Sequence, residues 1–91
     1  MPLFRIPGPL RRLSEGESTV EVEAPDLRAA IEQLDGRYPG FRARLLDESG
    51  RPRQFVNIYL NEEDIRLGEG LDAKLKESDE ISIVPAVAGG R

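Results

Sequence analysis

The sequence contains no cysteine, no histidine and no tryptophan among its 91 residues. Without cysteine the chain can form neither a disulfide nor a thiolate nucleophile, and it cannot build a zinc ribbon. Without histidine it lacks the usual proton shuttle and the commonest ligand of transition metals. We therefore expect a protein that is not an enzyme on its own and that binds no metal.

Long apolar runs are also missing. No stretch approaches the roughly 18 apolar residues of a membrane span, and no basic start leads into an apolar signal region. These absences predict a cytoplasmic protein that does not enter a membrane.

Acidic residues outnumber basic ones by 17 to 13, which gives a net charge of −4. Phosphate neutralisation supplies most of the affinity for nucleic acid, so we expect an acidic domain not to bind it. The charges alternate in blocks, with residues 14–35 and 54–82 predominantly acidic. An ordinary solvated surface explains this pattern, and an acidic face that docks on a basic partner is the alternative.

Alternating apolar and polar residues predict four strands and one brief edge strand. The four strands are expected at residues 4–6, 20–24, 55–60 and 80–84, and the edge strand at residues 65–67. Turn signals separate the first two strands, so we expect them to form a hairpin.

A helix is predicted directly after the second strand. Asp26 is its expected N-cap, and the apolar residues that follow are spaced to lie on one helical face. This stripe consists of Leu27, Ala30, Ile31 and Leu34. Asp35-Gly36 and Pro39 should end the helix, and a short helical turn is expected within residues 40–46.

This order of elements predicts an α+β domain in which one main helix packs on a mixed sheet of four to five strands. If the first and last strands are parallel neighbours, the arrangement is the β-grasp fold of ubiquitin. The order alone also suits several other α+β sheets. We expect one domain over residues 1–85 and a flexible C-terminal tail over residues 86–91.

The tail carries a glycine pair, Gly89-Gly90, a few residues beyond the predicted final strand. Terminal glycines are common in floppy chain ends, but this pair also suits a chemical role. A carboxylate must become a mixed anhydride before it can donate its acyl group. Two residues without Cβ let the backbone enter a narrow adenylating site and leave the carbonyl open to a nucleophile.

Two segments resemble the ubiquitin-like sulfur carriers of the MoaD/ThiS type. One is residues 83–90, IVPAVAGG, and the other is residues 55–66, FVNIYLNEEDIR. The resemblance extends over essentially the whole chain in length and element order. It is strongest to the carrier of the thiocarboxylate-dependent cysteine synthesis pathway, and it implies the ubiquitin-like β-grasp fold.

The resemblance implies that the chain is a protein co-substrate and that its partners do the chemistry. A ubiquitin-activator-like enzyme would consume ATP to adenylate Gly90, and sulfide or a persulfide would then form the thiocarboxylate. A pyridoxal-phosphate cysteine synthase would use that sulfur, and a zinc metalloprotease would trim the tail and release cysteine. Val87, Ala88 and Gly89 would complete the segment that enters these enzymes.

Arg91 is a departure from the family pattern, because the reactive form ends at Gly-Gly. The arginine side chain should not fit a tunnel shaped for glycine. We expect a protease to remove Arg91. A chain that keeps Arg91 is expected to be inactive.

The strand at residues 55–60 also suggests a docking face. If Val56, Ile58 and Leu60 pack on the helix, then Phe55 and Tyr59 lie on the open face of the sheet, with Val84 beside them. The resemblance implies that partners dock there, whereas partial cover by neighbouring side chains is the alternative. The adjacent carboxylates at residues 62–64 are interpreted as solvated and not as a metal site.

Three other functions stay open at this point. The chain could be the small subunit of a molybdopterin synthase, or a ubiquitin-like modifier that forms isopeptide bonds with lysines of other proteins. It could also be a β-grasp binding module with an inert tail.

Overall fold

A computed structural model describes residues 1–85 of the chain. It contains one five-stranded sheet in the spatial order β2-β1-β5-β3-β4. The strands are β1 Leu3–Arg5, β2 Thr19–Glu21, β3 Val56–Leu60, β4 Glu63–Asp64 and β5 Glu80–Pro85. The helices are α1 Leu27–Arg37 and α2 Phe41–Leu45, with short 3-10 helices at Gly8–Leu10, Ile65–Leu67 and Gly70–Asp72.

The pairing of the strands confirms the β-grasp fold. β1 pairs with β2 as an antiparallel hairpin and with β5 in parallel. β5 is also antiparallel to β3, so the last strand in sequence lies at the centre of the sheet. The sheet is therefore mixed, and the prediction that the first and last strands lie side by side is confirmed.

Helix α1 begins as the sequence predicts. The Asp26 carboxylate accepts a hydrogen bond of 2.8 Å from the backbone N–H of Ala29, which otherwise has no intrahelical acceptor. All four residues of the apolar stripe are buried, and each has essentially no exposed surface. The helix continues through Gly36 to Arg37, slightly beyond the predicted end.

The core lies between α1 and one face of the sheet. From the sheet it takes alternate residues, among them Phe4 of β1, Ile58 of β3, and Ile81 and Ile83 of β5. Phe41 and Leu45 of α2 close the same cluster from the side. Within residues 1–85, no helix is long and apolar enough to cross a bilayer.

A hydrogen-bond network around Asp79 and Asn61 joins the strands at the end of the sheet where β5 begins. The buried carboxylate of Asp79 accepts hydrogen bonds of 2.7 Å from Asn61 Nδ2 and from the backbone N–H of Lys76. Asn61 Oδ1 in turn accepts from the backbone N–H of Glu80, while the Asp79 carbonyl accepts from Leu3. These bonds tie the ends of β1, β3 and β5 together.

The edge strand differs from the prediction. Residues 65–67 form a 3-10 helix, and the edge strand is Glu63–Asp64. Asn61 and Glu62 both have left-handed φ angles, 52° and 72°, so a two-residue turn reverses the chain at once and pairing begins at Glu63. The Asp64 carboxylate then accepts from the backbone N–H of Arg66 at 2.9 Å and starts the 3-10 helix.

Glu62 is under backbone strain, because a left-handed φ in this kind of turn favours glycine. Replacing it by glycine (Glu62→Gly) should therefore raise the free energy of unfolding by about 1 kcal/mol, as measured by urea denaturation. Glu63→Gly is the matched control. It removes a similar side chain from strand β4, where glycine weakens pairing, and should lower stability. A loss of stability in both variants would contradict the strain at Glu62.

Candidate functional site

The end of strand β5 is the place where the described part of the chain approaches the glycine pair. β5 runs between β1 and β3 and ends at Pro85, which lies opposite Val56. Ile81 and Ile83 anchor the strand in the core. The described part of the chain therefore ends in the middle of the sheet. The predicted tail residues lie outside the described residues: Val87, Ala88, Gly89, Gly90 and Arg91.

The open face of the sheet lies opposite the helix layer. Since Ile58 of β3 points into the core, Asn57 and Tyr59 point away from it. Their partners across β5 are Val84 and Ser82. Val84 is 44% exposed and lies on this face close to the end of β5, and Tyr59 is half-buried farther along it.

Phe55 lies just before β3 and not within it. Its side chain is 56% exposed, beside the last pair of the β3–β5 ladder, Val56 and Pro85. The structure thus places the three residues of the candidate docking face at different points. Phe55 and Val84 flank the end of β5, whereas Tyr59 lies nearer the middle of the sheet. Their role in docking stays a prediction.

Arg66 lies at the same end of the sheet and was not singled out from the sequence. Its Nη1 donates to the side-chain Oδ1 of Asn57 at 2.9 Å. Its Nη2 donates to the carbonyls of Val56 and Arg53 at 3.1 and 3.2 Å. The neighbouring Leu67 is 79% exposed, the largest exposed fraction among the large apolar residues described. No local pattern reveals this cluster, because it depends on the sharp turn before β4.

An ion pair occupies the polar part of the open face. Arg5 Nε of β1 lies 2.7 Å from Glu80 Oε1 of β5, and both side chains are about half exposed. The hydrogen bond from Arg5, together with its positive charge, holds the pKa of Glu80 below its ordinary value. Ser82, opposite both Arg5 and Tyr59, separates this pair from the apolar end of the face.

Within residues 1–85, no group of three or more acidic side chains is arranged to hold a metal ion. Glu62 and Glu63 are exposed, and Asp64 is only partly buried and caps a 3-10 helix.

Comparison with known proteins gives consistent matches. A model of the ThiS family matches residues 4–90. The sulfur carrier protein CysO of Mycobacterium tuberculosis is 41% identical over 87 residues, which are 93% of this chain and 94% of that protein. The small archaeal modifier protein 3 of Haloferax volcanii is 32% identical over 60 residues, 66% of this chain and 64% of that protein.

Solved structures agree with these sequence matches. A chain from the crystal structure of the Amycolatopsis orientalis BexX/CysO complex has a TM-score of 0.92 at 38% identity, covering 99% of this chain and 100% of that one. The crystal structure of Mycobacterium tuberculosis CysO has a TM-score of 0.90 at 37% identity, covering 96% of this chain and 100% of that one. The similarity thus spans the whole described domain.

The ion pair on the open face predicts a pH effect. Because the pKa of Glu80 is lowered in the folded state, the pair stabilises the fold above the ordinary pKa of 4.5, and this contribution is lost as the pH falls below that value. Arg5→Gln should move the pKa of Glu80 up towards 4.5, as followed by NMR titration of its carboxyl carbon. Arg28→Gln, which breaks an exposed pair with Asp72 elsewhere, should leave that pKa unchanged. An unchanged pKa in Arg5→Gln would show that the pair does not form.

Proposed function

Because the chain belongs to the ThiS family of ubiquitin-like sulfur carriers, we propose that Gly90 carries sulfur as a C-terminal thiocarboxylate. The observation that carries the proposal is the position of β5. This strand is anchored on both sides and delivers the chain from the centre of the sheet, a few residues before the glycine pair. A rigid domain with a reactive end of this kind is built to be handed between enzymes.

The chemistry takes two steps on a partner enzyme. A carboxylate oxygen of Gly90 attacks the α-phosphorus of ATP, and pyrophosphate leaves, so that an acyl-adenylate forms. A sulfide nucleophile then attacks the activated carbonyl, and AMP leaves with the C–O bonding electrons. Glycine at positions 89 and 90 suits both steps, because no side chain obstructs the narrow approach to the carbonyl.

The free carboxylate of Gly90 requires that Arg91 be removed first. We propose that a protease cleaves the peptide bond after Gly90 and so trims the tail, and that this protease is a zinc metalloprotease. Arginine carries a long charged side chain, which would obstruct a site shaped to glycine. The trimmed chain is then a co-substrate that supplies no catalytic group of its own.

Cysteine synthesis is the proposed destination of the sulfur. The 41% identity to the sulfur carrier protein CysO, over nearly the full length of both chains, supports this branch. The partner would be a pyridoxal-phosphate synthase, in which the thiocarboxylate sulfur adds to an aminoacrylate. Rearrangement would leave cysteine in amide linkage to the carrier, ready for proteolytic release.

Protein modification is the second candidate function. The 32% identity to the small archaeal modifier protein 3 favours it, although that match spans a shorter part of the chain. The same acyl-adenylate would then be attacked by a lysine amine of another protein, with loss of AMP and formation of an isopeptide bond. The two functions therefore differ in the nucleophile and share the activation step.

The first test is the intact mass of the protein isolated from its native host under sulfur demand. We expect loss of Arg91 together with the mass increase of one oxygen-to-sulfur exchange. Conjugates that survive a denaturing gel, without a thiocarboxylate, would favour the modifier function. A full-length, unmodified mass would contradict both functions and favour an inert tail.

The second test separates tail chemistry from folding. Deletion of Gly89, Gly90 and Arg91 should abolish thiocarboxylate formation in the host. It should leave the thermal unfolding midpoint within about 2 °C, because the shortened chain keeps every core residue of the described part of the chain. Removal of Arg91 alone is the matched control and should retain thiocarboxylation. Sulfur transfer by the chain that lacks all three residues would refute the role of Gly90.

A further inference from the structure

The proposed function leaves the role of Arg66 unexplained. Its side chain is exposed, yet its guanidinium group makes three hydrogen bonds to one short stretch, residues 53–57. An exposed arginine gains little from such bonds in stability, since water can replace each of them. Their convergence on the start of β3 indicates that they fix its position.

The backbone of Val56, the first residue of β3, is held by two hydrogen bonds. Its backbone N–H donates to the carbonyl of Arg53 at 3.2 Å, and its carbonyl accepts from Arg66 at 3.1 Å. Opposite Val56 in the ladder is Pro85. Because the Asn61 N–H bonds to the Glu80 carbonyl, alternation along the ladder makes Val56 and Pro85 a non-hydrogen-bonded pair, whose backbone polar groups point away from each other. Both backbone polar groups of Val56 are thus engaged by residues outside β5. The neighbouring pair, Asn57 and Val84, joins β3 to β5, and Arg66 supports Val56 and Asn57 from the opposite side of β3.

The short edge strand leaves room for this arrangement. β4 has only two residues and pairs with Tyr59 and Leu60, so on the side of β3 opposite β5 no strand covers residues 56–58. The guanidinium of Arg66 reaches there from the following 3-10 helix. A planar fork with several N–H donors can bind two carbonyls and one amide oxygen at once, which a lysine ammonium cannot match in geometry.

We propose that Arg66 is a positioning residue for activation of the C-terminus. By holding residues 53–57, it fixes the point at which β5 ends at Pro85, and thereby sets where the terminal carboxylate lies once the tail is extended in the narrow site of the adenylating enzyme. This inference rests on the proposed function. Arg66 is proposed to align the carboxylate and not to bind the partner. Loss of the Arg66 side chain should therefore slow the chemical step in the docked complex.

The test uses the chain ending at Gly90, the ubiquitin-activator-like enzyme of the same host, and ATP, with pyrophosphate release as the readout. Arg66→Gln should lower kcat roughly tenfold to a hundredfold, as expected when reacting groups are misplaced by about 1 Å. KM for the carrier should change less than twofold. Arg66→Lys should not restore kcat, because it keeps the charge but loses the planar fork.

Arg28→Gln is the control variant. It removes the same charge from an exposed ion pair with Asp72, on helix α1, and should keep both kcat and KM. Amide hydrogen exchange gives a readout that is independent of activity. The amide of Val56 should exchange faster in Arg66→Gln than in the unchanged chain, while the amide of Ile31 in the core keeps its rate.

Two results would overturn the inference while leaving the proposed function intact. One is a higher KM at unchanged kcat, with rescue by Arg66→Lys, which would make Arg66 a charge contact to the partner. The other is an Arg66→Gln chain that matches the unchanged chain in kcat and in exchange at Val56. If the unchanged chain is itself not adenylated, the proposed function fails, and the inference fails with it.

Discussion

The parallel pairing of β1 with β5 is the contact on which the rest of the structure depends. It brings the last strand between two earlier ones, so that Ile81 and Ile83 are buried and β5 cannot move without breaking both ladders. Helix α1 packs on the face that this pairing creates. The domain can therefore hold the end of β5 at a defined place although its core is small.

One face of the central strands is buried in the core, and the other face is turned outward. One face supplies isoleucines to the core, and the other presents Asn57, Tyr59, Ser82 and Val84 outward. Alternation along a strand makes this division unavoidable, since a residue that serves one face is lost to the other. Changes on the open face therefore need not disturb packing. If the proposed partner enzymes dock on this face, the domain could meet several of them without loss of its core.

Local patterns predicted the elements whose causes are local. The N-cap at Asp26 and the apolar stripe from Leu27 to Leu34 depend only on residues a few positions apart, and the structure confirms both. The prediction of an edge strand at residues 65–67 was wrong, because the turn is shorter than expected. Asn61 and Glu62 alone reverse the chain, so pairing begins at Glu63, and no glycine follows Asn61 to mark a two-residue turn. The Arg66 cluster could not be predicted, since its three acceptors are brought within reach only by that turn. Phe55, Tyr59 and Val84 could be assigned to a face but not to neighbouring places on it, because register sets the distances.

The central position of β5 also has a mechanical consequence. An enzyme that draws the chain beyond Pro85 into its own site pulls β5 along its axis. The hydrogen bonds to β1 and β3 run across that direction, so they are loaded together in shear and do not open one after another. The hydrogen-bond network around Asp79 opposes the same displacement at the other end of β5. If an enzyme uses the tail as proposed, the domain would limit how far that enzyme can draw in the chain.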